Sequence, residues 1–425
     1  MSNREKISED LIVEYDEKDG LTAEEIAESQ EKDTSGFANI VYYTTEFDLM
    51  SLNSRIENGD IIVPSFIKNK EISNEQGGSR RNRLKNFQRG FVWTLNQKRN
   101  LIDSILKEYP MPGIFLIRQG DGTFLVLDGQ QRLTTIAQFR AGEFSVNTSS
   151  IQDIGFPVKE EYTEYKYDDL DKAIRRKFNN YRIGATVIAD VIPESSSNNS
   201  DDSPKVEDFI YSIFGRLNSG GTQLTPHEIR IAVYSGKLAD EINNLNVNEK
   251  WRALYKGELQ KRSRDHELIS RIIAMYLRRD DYRGGQKEYL NKFYRIYRNL
   301  DSNEAIEAIE RFKQALDIVS PIGHTVFRTP KTSNINAAWT EALMASIMVA
   351  LDSRECIDSD KMTTAVRDTY NELMNNEKEY EINGSRRTIQ DFITSNTSSK
   401  TSYVGRFNIC SMSLQENLQQ INWKN

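Results

Sequence analysis

The chain has 425 residues, of which 38% are hydrophobic and 28% charged, two cysteines and a formal net charge of −7. That length can bury two ordinary cores. No apolar run approaches the ~20 residues of a membrane helix, and the acidic start, MSNREKISEDLIVEYDEKDG, lacks the apolar stretch of a secretory signal.

These features predict a cytoplasmic protein with no membrane partner, in which Cys356 and Cys410 are free thiols in a reducing compartment. The net charge hides an asymmetry. Residues 1–35 hold 12 acidic and 4 basic residues, a balance of −8, so the other 390 residues sum to +1. Residues 68–100 hold 9 basic against 2 acidic, and residues 252–300 hold 13 against 6, each a balance of +7. Such clusters read either as solvated faces or as a footprint for nucleic acid or nucleotide.

In chain order, residues 1–35 read as an acidic, disordered tail, with one short helix start at Thr22-x-x-Glu25. The core begins near FANIVYYTTEF. Asp48 caps a short helix whose apolar face is Leu49, Leu52 and Ile56. Asp60 to Phe66 reads as a strand, and a basic, Gly-containing loop with Arg80, Arg81, Arg83 and Lys85 follows. Thr94-x-x-Gln97 is a capping box for a helix with Leu101, Ile102, Ile105 and Leu106 facing inward. Pro110 and Pro112 stop it. Gly113 to Arg118 and Thr123 to Leu127 form a hairpin. Arg182 to Val191 is a strand, Ser195 to Pro204 a loop, and Asp208 to Leu217 a helix. Thr225, Pro226 and Glu228 open another helix with a cap, a proline at its first position and a reciprocal acid. From about Ser235 the pattern is helical, with helices expected at Asp265 to Arg278, Gln286 to Asn299, Asn303 to Val319, Asn336 to Leu351 and Lys361 to Asn375. This reads as an all-α domain of roughly six helices. The run YLNKFYRIYRNL, Tyr289 to Leu300, fits either an amphipathic helix with rings in the core or a surface that stacks on bases.

The most informative stretch is FLVLDGQQRLTTIAQF, Phe124 to Phe139. A short apolar strand meets Asp128-Gly129, and a helical spacing of Leu133, Ile136 and Phe139 follows. A helix start presents unpaired N–H groups and partial positive charge to an anion. Gly129 lets a ligand approach the backbone. Arg132 adds a planar fork suited to phosphate, and Asp128 is placed to hold a metal-bound water or orient a nucleophile. A plain structural role also fits: Asp128 as a helix cap and Arg132 as the partner of a carboxylate. Local sequence does not separate the two.

Two further segments carry a resemblance. They are FQRGFVW at Phe87 to Trp93 and IFGRLNSGGTQLTPHEIR at Ile213 to Arg230. With DGQQR, in this order and spacing, they resemble the N-terminal domain of GmrSD-type modification-dependent restriction systems. The resemblance spans about Phe47 to Ser235. It implies an α/β (α+β) core of ParB/sulfiredoxin-like type over residues 36–235, followed by the helical domain over 236–425. Family members usually run the strand straight into the Gln-Arg segment, so residues 68–86 read as an insertion.

The resemblance further implies a nucleotide pocket. One wall would be Asp128, Gly129, Gln130, Gln131 and Arg132, a second Gln88 and Arg89, and a third Arg216 with Asn218, Ser219, Gly220 and Gly221. Asp128 and Arg132 are the candidate catalytic pair, and the expected ligand is a nucleoside triphosphate with Mg²⁺. Gly-rich turns and helix starts suit phosphate oxygens, and convergent arginines would stabilise charge on a transferred group. No P-loop motif and no zinc-ligand spacing is present, and no protein metal site is expected. The chain has three histidines, His227, His266 and His324, too few in the wrong places for the HNH nuclease that such systems bring. The expectation is therefore an NTP-binding, NTP-hydrolysing sensor that meets DNA, modified DNA included, and relies on a separate nuclease subunit. Two alternatives stand beside it. One is a ParB-like metal-dependent nuclease, weakened because DGQQR offers a single carboxylate. The other is a non-enzymatic DNA-binding or interaction module.

Overall fold

The computed structural model describes residues 28, 38–63, 93–155, 164–193, 206–217, 224–256, 263–330, 332–352, 358–375, 378–382 and 385–423. The chain forms two compact units, Asp33–Gln223 and a second that joins Met1–Lys32 to Leu224–Asn425.

The first unit is built on a five-stranded mixed sheet. Strand β1 (Ala38–Asp48) leads into helix α1 (Leu49–Asn58), where the Asp48 side chain accepts from Ser51 N at 2.8 Å as the expected cap. Strand β2 (Ile61–Ile62) is short, and residues 64–92, with the basic loop, Gln88 and Arg89, lie outside the described residues. Helix α2 (Leu95–Leu106) carries the predicted capping box between Thr94 and Gln97. The predicted hairpin is β3 (Ile114–Arg118) and β4 (Phe124–Asp128), followed by α3 (Gln130–Arg140). A small pair, β5 (Val146–Asn147) and β6 (Glu164–Tyr165), flanks α4 (Thr148–Asp153). Helix α5 (Lys172–Asn180), strand β7 (Arg182–Pro193) and α6 (Val206–Leu217) complete the unit.

The strand order is β1-β7-β3-β4-β2. β7 runs antiparallel to β1 and parallel to β3, β3 antiparallel to β4, and β4 parallel to β2. Alternation along the strands sends Ile114, Leu116, Val126, Ile183, Ala185 and Val187 to one core face. There they meet Leu52 of α1, Ile102 and Ile105 of α2, Leu133, Ile136 and Phe139 of α3, and Ile174 and Phe178 of α5. Burying each such aliphatic or aromatic side chain stabilises the unit by about 1.5–3 kcal/mol. The Phe139 ring anchors the cluster, 5.5 Å from both Phe144 and Phe178.

The second unit contains ten α-helices among the described residues. They are α7 (Pro226–Val233), α8 (Lys237–Asn246), α9 (Glu249–Tyr255), α10 (Arg264–Arg278), α11 (Gln286–Tyr297), α12 (Asn303–Val319), α13 (Ala337–Asp352), α14 (Ser359–Asn375), α15 (Ile389–Thr394) and α16 (Lys400–Trp423). The expected all-α domain also holds an antiparallel hairpin, β8 (Glu379–Ile382) with β9 (Ser385–Thr388). The capping box of Thr225 and Glu228 opens α7 as predicted. Every residue of α7 is buried, including His227, Glu228 and Arg230. α7 groups with the helices that follow it, in the unit that includes Leu224–Asn425.

Part of the basic excess over 252–300 is taken up by ion pairs or buried. Arg252 pairs with Asp265 at 2.6 Å, Arg271 with Glu341 at 3.2 Å and Arg278 with Asp281, while Arg264 is buried. In α11, Tyr289, Phe293, Tyr294 and Tyr297 all face the core. Their rings are therefore packing groups and not a stacking platform. Cys410 is a free, buried thiol, and Cys356 lies outside the described residues. Residues 1–35 also lie outside them except for Glu28, which is helical and buried. No helix of the described residues is long and apolar enough to cross a membrane.

Candidate functional site

The β4–α3 turn places DGQQR at one end of the sheet. Gly129 sits at the cap position of α3 with φ 99° and ψ 5°. That left-handed conformation favours glycine. Space demands it too, because a Cβ at 129 would lie 2.5 Å from Ile114 Cγ2. The helix is closed by Leu133 N donating to Gly129 O at 2.9 Å. Among the described residues no side chain caps this helix start, so Asp128 is not the cap, and the first-turn amides are open to other acceptors.

Asp128 instead accepts from Arg132: Nη2 donates to Oδ2 at 2.6 Å, one helical turn apart. Arg132 Nη1 donates to Gly113 O at 3.1 Å and also to Pro112 O. Burial pushes the Arg132 guanidinium down from its ordinary value, and the adjacent Asp128 carboxylate opposes that. Arginine stays charged regardless. Of the two structural roles that fit the sequence, the carboxylate-partner role of Arg132 is the one realised.

The corner that Arg132 grips is the Tyr-Pro-x-Pro exit of α2. Tyr181 OH holds it from the other side by donating to Tyr109 O at 2.6 Å. Gly113 abuts β7 so closely that a Cβ there would lie 2.8 Å from Gly184 O. Sequence reading passed over Gly113 and Gly184, and the only available signal was the glycine that follows Pro112.

Gln130 is buried, and its Nε2 donates to Val126 O at 3.4 Å. Gln130 Oε1 and Gln131 Oε1 are buried and accept no hydrogen bond among the described residues. Arg216 lies in the last turn of α6, in the same unit. Gln88, Arg89, Asn218, Ser219, Gly220 and Gly221 lie outside the described residues. Of the site residues expected from the sequence, the described ones are Asp128 to Arg132 and Arg216.

Two histidines come together in the helical unit. His227 Nε2 and His266 Nδ1 are 2.9 Å apart, both rings buried. Arg230 Nη1 lies 3.4 Å from His227 Nδ1, and Arg230 Nε donates to Asn291 Oδ1 at 2.9 Å. Nothing in their 39-residue separation announces this pairing. Among the described residues no group of three or more His, Cys, Asp or Glu is arranged to hold a metal ion.

The site thus combines one carboxylate with a saturated oxygen, an uncapped helix start and a glycine that admits close approach. That set can receive an anion and orient one water molecule. No curated protein and no solved structure matches the chain. A family model described as GmrSD restriction endonuclease, N-terminal domain, matches residues 67–235, a stretch that runs past Gln223 into α7. That stretch, which holds the DGQQR turn and strands β3, β4 and β7 of the sheet, is a GmrSD-type N-terminal domain.

Proposed function

We propose that the chain is a nucleotide-binding sensor of a restriction or anti-phage defence system, able to hydrolyse a nucleoside triphosphate and acting with a separate nuclease on modified DNA. The GmrSD N-terminal domain points to a restriction or defence-system protein. The observation that carries the nucleotide reading is Gly129 at the cap of α3, with no side-chain cap among the described residues and Asp128 beside the first-turn amides. Those amides suit phosphate oxygens. Gln88 and Arg89, and Arg216 with Asn218, Ser219, Gly220 and Gly221, would supply the other walls.

Mg²⁺ brought by a triphosphate needs only one or two protein carboxylates. The Asp128 carboxylate keeps Oδ1 without a hydrogen-bond partner among the described residues, which fits that need. When bound, the ion neutralises charge on the phosphate oxygens. Asp128 orients the attacking water, and the helix start holds the phosphates.

A thermal-shift panel of ATP, GTP, CTP and UTP with and without Mg²⁺ tests binding, since a ligand at 100 times its Kd adds about 2.7 kcal/mol of stability. Phosphate release with and without DNA tests hydrolysis. Absence of any response to all four overturns the reading. Mg²⁺- or Mn²⁺-dependent plasmid cleavage by the pure protein, abolished by Asp128→Ala, would replace it with a ParB-like nuclease.

A further inference from the structure

Resting on that reading, we infer that Arg132 is a positioning residue, which acts on the nucleotide through Asp128 and the Pro112–Gly113 corner instead of touching phosphate itself. Its two terminal nitrogens already serve three acceptors: Asp128 Oδ2, Gly113 O and Pro112 O. Its side chain is 13% exposed, against 38% for Asp128. Three of the five Arg132 N–H donors are thereby engaged, so a phosphate could meet only Nε–H and the second Nη2–H.

The planar fork has fixed donor directions. Engaging Oδ2 therefore sets the plane of the Asp128 carboxylate and leaves Oδ1 as the oxygen offered to water or to metal-bound water. The same guanidinium ties three pieces of chain together: the end of β4, the first turn of α3 and the corner before β3. The turn between β4 and α3 is closely packed, since a Cβ at Gly129 would lie 2.5 Å from Ile114 Cγ2. Lysine is a point charge on a flexible stem and cannot hold a carboxylate and two carbonyls at once.

The test uses the full chain as wild type, Arg132→Lys, Asp128→Asn and the double variant, with the four nucleoside triphosphates and Mg²⁺. Folding is checked by circular dichroism. Arg132→Lys is expected to keep Kd within about 3-fold while kcat falls on the order of 100-fold, the usual cost of a small misplacement. Asp128→Asn is expected to lose as much, and the double variant no more, because the two residues act as one unit. A Kd weakened 10-fold or more in Arg132→Lys at unchanged kcat makes Arg132 a phosphate ligand and overturns the inference. Additive losses in the double variant do the same. If Arg132→Lys does not fold, Arg132→Gln takes its place with the same criteria. If wild type binds without turnover, Kd alone decides. If wild type binds none of the four, the nucleotide site itself falls, and this inference with it.

Discussion

Glu28 forms a buried ion pair with Arg230 across 202 positions of sequence, with the two side chains 5% and 0% exposed. Arg230 is simultaneously bound to Asn291 and stands beside His227. The acidic N-terminal segment therefore contributes a structural residue to the helical unit. Removing one partner of such a pair leaves an uncompensated buried charge, which costs about 3–5 kcal/mol. Glu28→Ala should lower the helical unit's unfolding free energy, read from its urea transition, by that amount, and deletion of residues 1–32 should do at least as much. A midpoint unchanged by Glu28→Ala would mean that water replaces the carboxylate.

The His227–His266 contact makes stability depend on acid. Burial pushes both imidazoles down, His266 to about 4, and for His227 the neighbouring His266 and Arg230 add to the effect. Both stay neutral in the folded state at pH values where the unfolded chain binds protons. The unfolded state binds more protons below the ordinary histidine value of about 6.5, so stability rises with pH there. The stability is fully present above pH ~6.5 and is lost as pH falls from ~6.5 towards 4. Melting temperature should drop over that window, and His266→Gln should flatten the drop. An unchanged slope in His266→Gln would assign the acid sensitivity elsewhere.

Glu341 is shared by two arginines, Arg271 at 3.2 Å and Arg406 at 3.0 Å, all three buried. They join α10, α13 and α16. Glu341→Gln should destabilise the helical unit by about 3–5 kcal/mol, because two cations lose their counter-charge. The triple replacement Arg271→Met, Glu341→Leu, Arg406→Met should recover most of this loss, since apolar packing of similar volume often matches a buried ion network. Equilibrium denaturation of both variants checks the contrast. A triple variant no more stable than Glu341→Gln would show that the network holds the helices by more than charge balance.

Two glycines of the α/β unit make a matched pair. Gly129→Ala forces a side chain into a left-handed conformation and against Ile114, so it should cost roughly 1–3 kcal/mol. At Gly184 an added Cβ would meet nothing within 4 Å, and alanine there should leave the unit's melting temperature unchanged or slightly raised. Equal losses at both positions would show that the turn tolerates a side chain after all.

Local signals wrote most of the elements. Asp48, Thr94 and Thr225 each cap the helix their spacing announces, because a cap needs only a neighbour three residues away. The helix Asn303–Val319 has the bounds that its periodicity predicts. Helices α8, α9 and α16 and the β8–β9 hairpin were not legible. In α16 apolar and polar residues interleave around the helix, so no one-sided stripe marks it. At the site, Asp128, Gly129 and Arg132 were legible as a group, but which acceptors Arg132 reaches depends on Pro112 and Gly113, brought alongside by sheet pairing. The His227–His266 and Glu28–Arg230 contacts have no local cause and follow only from helix packing.

The division of the chain into Asp33–Gln223 and a unit assembled from both ends also orders events at the ribosome. The α/β unit is fully synthesised when little of the helical unit exists. Glu28 emerges early, but its partner follows 202 residues later, a delay of roughly 10–40 s at about 5–20 residues per second. Until then Glu28 awaits the helix that carries Arg230. A nascent chain stalled with residue 223 already clear of the ribosome should therefore resist protease across its α/β unit.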